Sequence, residues 1–457
     1  MQRAFDITHR LFFICFVLAV IVILLAGAWI ASLCVLAAAG WMVRRRAAIR
    51  HFTLWLLLGG LLLRVVVILV LHPPIVSDFH LLYEAAQSLL AGDTSFQNKA
   101  YFSLWAYQSV FVAWQAMLLA IWNNPLMIKL VNALLSAGTV CLLYRLARDH
   151  VRESAAQAAM LMLTAFPFVL TLPTVLTNQI SSAFFLVLGI WLLVCCDCQR
   201  LGFWRFPLAG LALQVGNLLR SEGIILVVAV LAYAVFTMLH QPKAIKRILC
   251  GMAALLVVYG AVGAGTDTVV RVSGLNENGT ANGYPGWKFV TGLNFSTAGG
   301  YSSDDWNALW PTLDENNHPT EATYQVQDKL ISERLSAGPK VLLLHAMHKC
   351  KLLWCSDALH WAFGHLNLHS WLALIYDNIQ KMDRLLFYAA LLLAGWGLSR
   401  PRRTPAAYLP LFVVFAAFCA FLLIEVQPRY AYLPQMFLFC GASLGLDRLA
   451  GKEENHA

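Results

Sequence analysis

Charge is the scarcest ingredient of this sequence. Only 12% of its 457 residues are Asp, Glu, Lys or Arg, about half the share found in soluble domains. That excludes a water-soluble enzyme, and with 60% hydrophobic residues it excludes disorder, collagen and coiled coil as well. Also missing is any Gly-rich loop ahead of a Lys-Ser or Lys-Thr pair, so no phosphate-cradling nucleotide site is legible. The 11 cysteines form no disulfide framework. Most, such as Cys15, Cys34, Cys141, Cys250, Cys419 and Cys440, lie in apolar runs, where a free thiol behaves as a small hydrophobe. No small-residue cleavage site follows the first apolar run, which reads as retained rather than as a signal peptide.

What is present is apolar sequence in runs of roughly twenty residues, the length that spans a hydrocarbon core. Residues 11–43 are too long for one span and read as a hairpin turning near Gly27. Further spans are expected at 52–71, 127–147, 153–172, 181–197, 207–220, 222–239, 247–265, 382–399, 405–424 and 431–447. The fold class is an all-α integral membrane protein of about twelve transmembrane helices, with interfacial helices and a large outer-face loop.

The formal net charge of +9 is an orientation signal and implies no nucleic acid. Lys and Arg gather at the N-terminus, 44–50, 145–152, 200–205, 243–247, 400–403 and the C-terminus, which together hold more than half of the 33 basic residues. That side is the cytoplasmic one. Residues 105–122 look like a span, yet counting them as one inverts everything downstream. They carry Gln108 and Gln115 among several Trp and Tyr, and read as an interfacial helix beside the amphipathic stretch 79–91. Three regions follow: a transmembrane catalytic module over 1–265 with a first outer loop at 72–126, an outer-face region over 266–381, and C-terminal helices over 382–457. Within the second region, 272–338 is polar and Gly/Asn-rich, whereas 341–355 returns to the membrane surface.

The most informative stretch is HPPIVSDFHLLYEAAQSLLAGD (72–93). A span ends, two prolines break the helix, and Ser77 or Asp78 is placed to cap the amphipathic helix that follows. A carboxylate held at the lipid–water boundary also suits a general base. Tyr83 and Glu84 lie further along, and His80 and Glu84 share a face at i, i+4 spacing.

The order of these features resembles the GT-C superfamily of membrane glycosyltransferases. More narrowly it is similar to glycosyltransferase family 39, the protein mannosyltransferases and the lipid A aminoarabinose transferases. A span is followed by SDF…LYEAAQSLLAGD, then an interfacial helix, then RLARDH, and EVQPRYAYLP (425–434) closes the chain's last loop. The resemblance implies a sugar taken from a polyprenyl-phosphate donor at the outer face and passed, with inversion, to a hydroxyl of a glycan, lipid or protein. It implies that Asp78 matches the family's first-loop acid. Where the family often has a second acid, LPTVLTNQISS (172–182) offers Asn178 and Gln179, amides that suit a sugar hydroxyl but bind a divalent metal poorly.

Arg220 in NLLRSEGIIL (217–226) is expensive in hydrocarbon and needs an anion or water. The resemblance turns it toward the donor's phosphate; the bland alternative is a salt bridge to Glu222. Arg429 is a second phosphate candidate because its guanidinium fork is bidentate, with pairing to Glu425 as its alternative. Glu425 and Lys99 are further substrate-binding candidates, and Arg64, inside the third span, either pairs with an inward partner or lines the cavity. WKFVTGLNFSTAGGYSSDDW (287–306), with Asp304 and Asp305, combines aromatic rings and carboxylates suited to sugar. His345 and His348 with Glu84 are candidate ligands of a divalent metal; no other cofactor is implied. The Cys195, Cys196, Asp197, Cys198 cluster sits at the cytoplasmic end and reads as chance. The expected function is thus an inner-membrane glycosyltransferase with its site on the outer face. A transporter or lipid-linked-sugar flippase is the alternative, for which polar groups near the membrane midplane are the signature.

Overall fold

The computed structural model describes residues 28–366, 370–399 and 404–449. The hairpin near Gly27, Cys15, the N-terminal basic residues, 400–403 and the C-terminal tail lie outside the described residues. Among those described there is no strand, only one isolated bridge between Leu313 and Pro319. The helices are α1 (Ala28–Arg44), α2 (Phe52–Val70), α3 (Ser77–Leu90), α4 (Gln108–Ile121), α5 (Pro125–Arg148), α6 (Glu153–Thr164), α7 (Gln179–Val194), α8 (Arg205–Leu219), α9 (Gly223–His240) and α10 (Ile245–Val272). After the polar region come α11 (Glu321–Leu335), α12 (Pro339–Cys350), α13 (Ser370–Leu398), α14 (Leu409–Leu423) and α15 (Tyr432–Leu449).

The protein is a multi-pass membrane protein, and the count of twelve spans is not confirmed among the described residues. Among the described residues five helices are long and apolar enough to cross, or seven if each of two bent pairs is one span. The reasons are local. The expected span 153–172 breaks by 59° where Pro167 interrupts it, leaving α6 and a short continuation. The spans 181–197 and 207–220 are α7 and α8, joined through a bend of 85°. The expected span at 382–399 belongs to a longer helix, α13, whose first half carries Asp377, Lys381, Asp383 and Arg384. By contrast, the stretch 105–122 is only a 14-residue helix, α4, about 21 Å long at ~1.5 Å per residue. That is too short to cross, as an interfacial helix should be.

The core sits where α15 runs between α6 and α13, and α15 is buried from Tyr432 to Leu446. Helix α6 presents Ala155, Ala156, Ala158 and Ala159, all fully buried. Such small residues let helices approach closely, which supplies packing where lipid offers no hydrophobic contrast.

Both long connections gather at one end of the bundle. Asn276 donates to the Phe102 carbonyl at 3.1 Å and to Ser109 Oγ at 2.9 Å, and Gly283 N donates to the Leu104 carbonyl at 2.8 Å. Residues of the first loop and of the 273–366 region therefore fold on each other. Leu104, Tyr284, Trp287, Val290 and Leu309 form a small shared core between them. Helix α12 turns Leu343, Leu344 and Met347 outward, an apolar face consistent with a return to the membrane surface. At the opposite end lie ion pairs of Arg145 and Arg148 with Asp197, and of Arg152 with Asp447.

Candidate active site

Three segments meet at the loop-bearing end: the start of α3, the turn between α8 and α9, and the loop 424–431 after α14. The last is held by two backbone bonds, Glu425 N to the Lys288 carbonyl and Val426 N to the Gly299 carbonyl, both 2.8 Å. Gly292 makes this approach possible, since a Cβ there would lie 2.5 Å from the Ile424 backbone. Beneath, the buried Lys349 ammonium donates to the carbonyls of Gly292 (2.7 Å), Ile424 (2.8 Å) and Leu422 (3.0 Å), tying the end of α14 to the 287–292 turn. Burial pulls its pKa down to about 8.

Arg429 is at the centre. It is 6% exposed, yet no carboxylate pairs with it among the described residues. Instead its guanidinium carbon lies 4.9 Å from the Phe79 ring centre, 5.0 Å from that of Trp361 and 5.6 Å from that of Tyr430. Its Nε donates to Gln427 Oε1 at 2.8 Å. The two terminal nitrogens have no protein partner among the described residues. Cation–π attraction offsets only part of the cost of taking a guanidinium from water. An aromatic box around an open fork is therefore poised for an anion.

The Tyr430 ring gathers two more cations, Arg220 at 4.8 Å and Lys288 at 5.9 Å. Lys288 Nζ pairs with Glu425 Oε2 at 2.5 Å, and Tyr430 donates its hydroxyl to Glu425 Oε1 at 3.3 Å. Burial opposes the charge on Glu425, but the Lys288 ammonium outweighs it and holds the carboxyl below its ordinary value. Burial likewise opposes the charge on Lys288, while Tyr430 and Glu425 raise its pKa above the usual lysine range. Arg220 takes its bland alternative in part: Nε pairs with Glu222 at 2.5 Å and a terminal nitrogen donates to Asn178 Oδ1 at 3.1 Å. Arg429 does not take the Glu425 pairing, because Lys288 has it.

Asp78 sits one residue before Phe79, in the first turn of α3. The expected capping is absent: Val76 is the N-cap and no side chain caps the helix. Asp78 is half-buried and has no hydrogen-bond partner among the described residues. Ser77 before it is held at φ 56°, a left-handed conformation costly for a residue with a Cβ. Burial pushes the phenols of Tyr101 and Tyr301 up, and the Asp78 carboxylate adds to both shifts.

Residues 102–262 match the family described as dolichyl-phosphate-mannose-protein mannosyltransferase. The archaeal oligosaccharyltransferase AglB from Archaeoglobus fulgidus, solved with an inhibitory peptide and a dolichol-phosphate, aligns with a TM-score of 0.48 at 12% identity. That alignment covers 87% of this chain but 50% of the archaeal one, so the present chain spans half its length. ArnT from Cupriavidus metallidurans bound to undecaprenyl phosphate aligns with a TM-score of 0.41 at 13% identity, over 88% of this chain and 77% of that one. No curated protein matches the sequence.

The remaining candidates fall in different places. Asn178 and Gln179 are bonded within the protein: Asn178 Nδ2 donates to the Leu219 carbonyl (3.0 Å) and to Gln108 Oε1 (3.3 Å), and Gln179 Nε2 donates to the Arg429 carbonyl at 2.6 Å. They position the two arginines. Glu84 lies about 120° round α3 from Asp78 at ~100° per residue, exposed and 3.5 Å from His80. Tyr83 accepts from Gln87 at 2.8 Å, and Lys99 is exposed. His345 is spent on the Gly292 carbonyl at 2.9 Å while His348 is exposed, so neither meets Glu84. Among the described residues no three His, Cys, Asp or Glu side chains gather as a metal set. The acidic pair divides: Asp304 is exposed, whereas Asp305 is buried against Arg334 (2.5 Å) and Asn294 (2.8 Å). Arg64 is fully buried, donating to Ser136 Oγ and the Gly60 carbonyl. At the far end Cys195 lies 3.1 Å from Asp149, away from this site.

Sequence reasoning missed Lys288, Tyr430, Trp361 and Gln427 as parts of the site. The signal for two of them was inside EVQPRY itself, where alternate positions carry Glu425, Gln427 and Arg429. Lys288 and Trp361 are remote in sequence, and only the fold of the 273–366 region brings them in.

Proposed function

We propose that the protein is a glycosyltransferase that moves a sugar from a polyprenyl-phosphate donor to an acceptor hydroxyl at the outer face of the membrane, with inversion. One observation carries the reading: Arg429, unpaired with any carboxylate among the described residues, holds an open fork inside an aromatic box, one ring of which, Phe79, follows Asp78 in sequence. The donor's phosphate meets the Arg429 fork, with Arg220 and Lys288 supplying further positive field around Tyr430. A guanidinium fork matches phosphate in a bidentate way that an ammonium does not. The lipid tail runs back along the bundle, so no nucleotide fold is needed to present the sugar.

In the chemical step the Asp78 carboxylate takes the proton of the acceptor hydroxyl as that oxygen attacks the anomeric carbon. A new carbon–oxygen bond forms, and the bond from the anomeric carbon to the phosphate oxygen breaks. Its electron pair leaves with polyprenyl phosphate, whose charge Arg429 and Arg220 stabilise as it grows.

The reading is tested by binding of polyprenyl phosphate to the purified protein in lipid nanodiscs. Saturable binding to the parent, weakened in Arg429→Gln with an unchanged melting temperature, supports it. Equal binding by both proteins refutes it.

A further inference from the structure

Outside the arginine cluster the structure carries a second ordered group of rings. Trp105 and Trp306 stack at 6.1 Å with planes 28° apart, and Trp306 meets Trp310 at 5.0 Å with planes 36° apart. Trp287 backs them, edge-on to Trp306 at 5.4 Å and 6.1 Å from Tyr301. Two members remain open: Trp310 is 40% and Tyr301 56% exposed.

This group is continuous with the candidate site. Tyr101 is edge-on to Trp105 at 5.2 Å and accepts from Gln108 Nε2 at 3.2 Å. Gln108 Oε1 accepts from Asn178, and Asn178 accepts from Arg220. An unbroken relay thus runs from a phosphate-side cation to the ring wall, passing Tyr101.

We propose that this wall binds the acceptor, and that the acceptor is a saccharide whose rings stack on Tyr301 and Trp310. This rests on the glycosyl-transfer reading above and names its acceptor class. A pyranose has an apolar C–H face and a polar rim of hydroxyls, so its binding site needs flat rings beside hydrogen-bonding groups. The wall has both. Its open members, Tyr301 and Trp310, lie in YSSDDWNALWPTLDENN (301–317), where the exposed Asp304 carboxylate has no protein partner among the described residues. Contact with lipid headgroups, the usual role of interfacial Trp and Tyr, fits this polar surround poorly. The apolar face suited to lipid is on α12, at Leu343, Leu344 and Met347. Rings already packed on one another also lose little freedom on binding.

The test uses the full chain in nanodiscs free of glycoside detergent. Short neutral oligosaccharides of glucose, mannose and N-acetylglucosamine are titrated while tryptophan fluorescence is followed. Saturable binding is expected, weakened about tenfold in Trp310→Ala and largely restored in Trp310→Phe, with donor binding unchanged. In the transfer assay the acceptor KM should rise by the same factor. Absence of oligosaccharide binding, or equal affinity in Trp310→Ala, overturns the inference. Transfer to a peptide hydroxyl with parental efficiency in Trp310→Ala also overturns it, while leaving the lipid-phosphate reading standing. Oligosaccharide binding through Trp310 in a protein that transfers nothing from a polyprenyl donor supports the wall and removes the transfer reading.

Discussion

Replacing Asp78 separates chemistry from structure cleanly, because the structure removes the capping role that complicates such a test. The N-cap of α3 is Val76, with no side-chain cap bond, and Asp78 makes no hydrogen bond among the described residues. Its remaining structural contribution is a negative charge in the first helical turn, worth roughly 0.3–1 kcal/mol against the helix dipole. Asp78→Asn forfeits that charge alone, so the detergent melting temperature should fall by at most a few degrees. Asp78→Ala should melt with it, since no cap is lost; a true cap removed by Ala would cost about 1 kcal/mol more. Loss of the base should lower the transfer rate about 10²- to 10⁴-fold in both variants. The assay is initial transfer rate at saturating donor and acceptor, beside a melting curve for each protein. An Asn variant with the parental rate refutes Asp78 as the base. A melting point for Ala far below that of Asn refutes the absence of capping.

Four further outcomes follow from the geometry. Arg429→Lys keeps the charge but loses the fork, so donor phosphate affinity should drop by about 1.5–3 kcal/mol, read by equilibrium binding. Ser77→Gly relieves a left-handed residue and should raise the melting temperature while slowing transfer, if that conformation aims Asp78; faster transfer counts against it. Arg334→Met leaves Asp305 buried without its cation and should cost about 3–5 kcal/mol, seen as early proteolysis of the 273–338 region. The Lys288–Glu425 pair gives a sign for pH. Glu425 has its pKa lowered from 4.5, so its stabilising contribution is complete above that value and is lost as pH falls through the folded value. Lys288 is raised from 10.5, so its contribution is complete below that value and is lost only at higher pH. The pair's own contribution is therefore flat from about pH 5 to 10 and falls below, so Lys288→Met with Glu425→Gln should flatten the acid limb of the melting temperature against pH.

Much of the fold was legible because lipid imposes it: apolar runs of spanning length and clustered basic loops are read directly from sequence. The short helix at 108–121 was legible for the same reason, since its amides and the charge parity exclude a span. The span count was not legible, because Pro167 breaks a run that hydropathy joins, while the bend after Cys195 links two runs that hydropathy separates. In the site, Asp78 and Arg429 stood out as charged groups in apolar surroundings. Their neighbours did not. Asn178 and Gln179 were expected to meet sugar, yet short polar side chains beside a buried arginine are drawn to it by the cost of leaving its hydrogen bonds unmade. Lys288 reaches Glu425 across more than a hundred residues of chain, a pairing that no local pattern encodes.

The central claim is that a sugar already carried on lipid phosphate is the donor, and it is tested most directly by choice of donor. The purified protein in nanodiscs is given radiolabelled polyprenyl-phosphate monosaccharides and, separately, the corresponding sugar nucleotides. Label should pass to an acceptor only from the lipid-linked donor, releasing polyprenyl phosphate in equal amount, and Arg429→Gln should abolish it. Efficient transfer from a soluble sugar nucleotide alone would contradict the account.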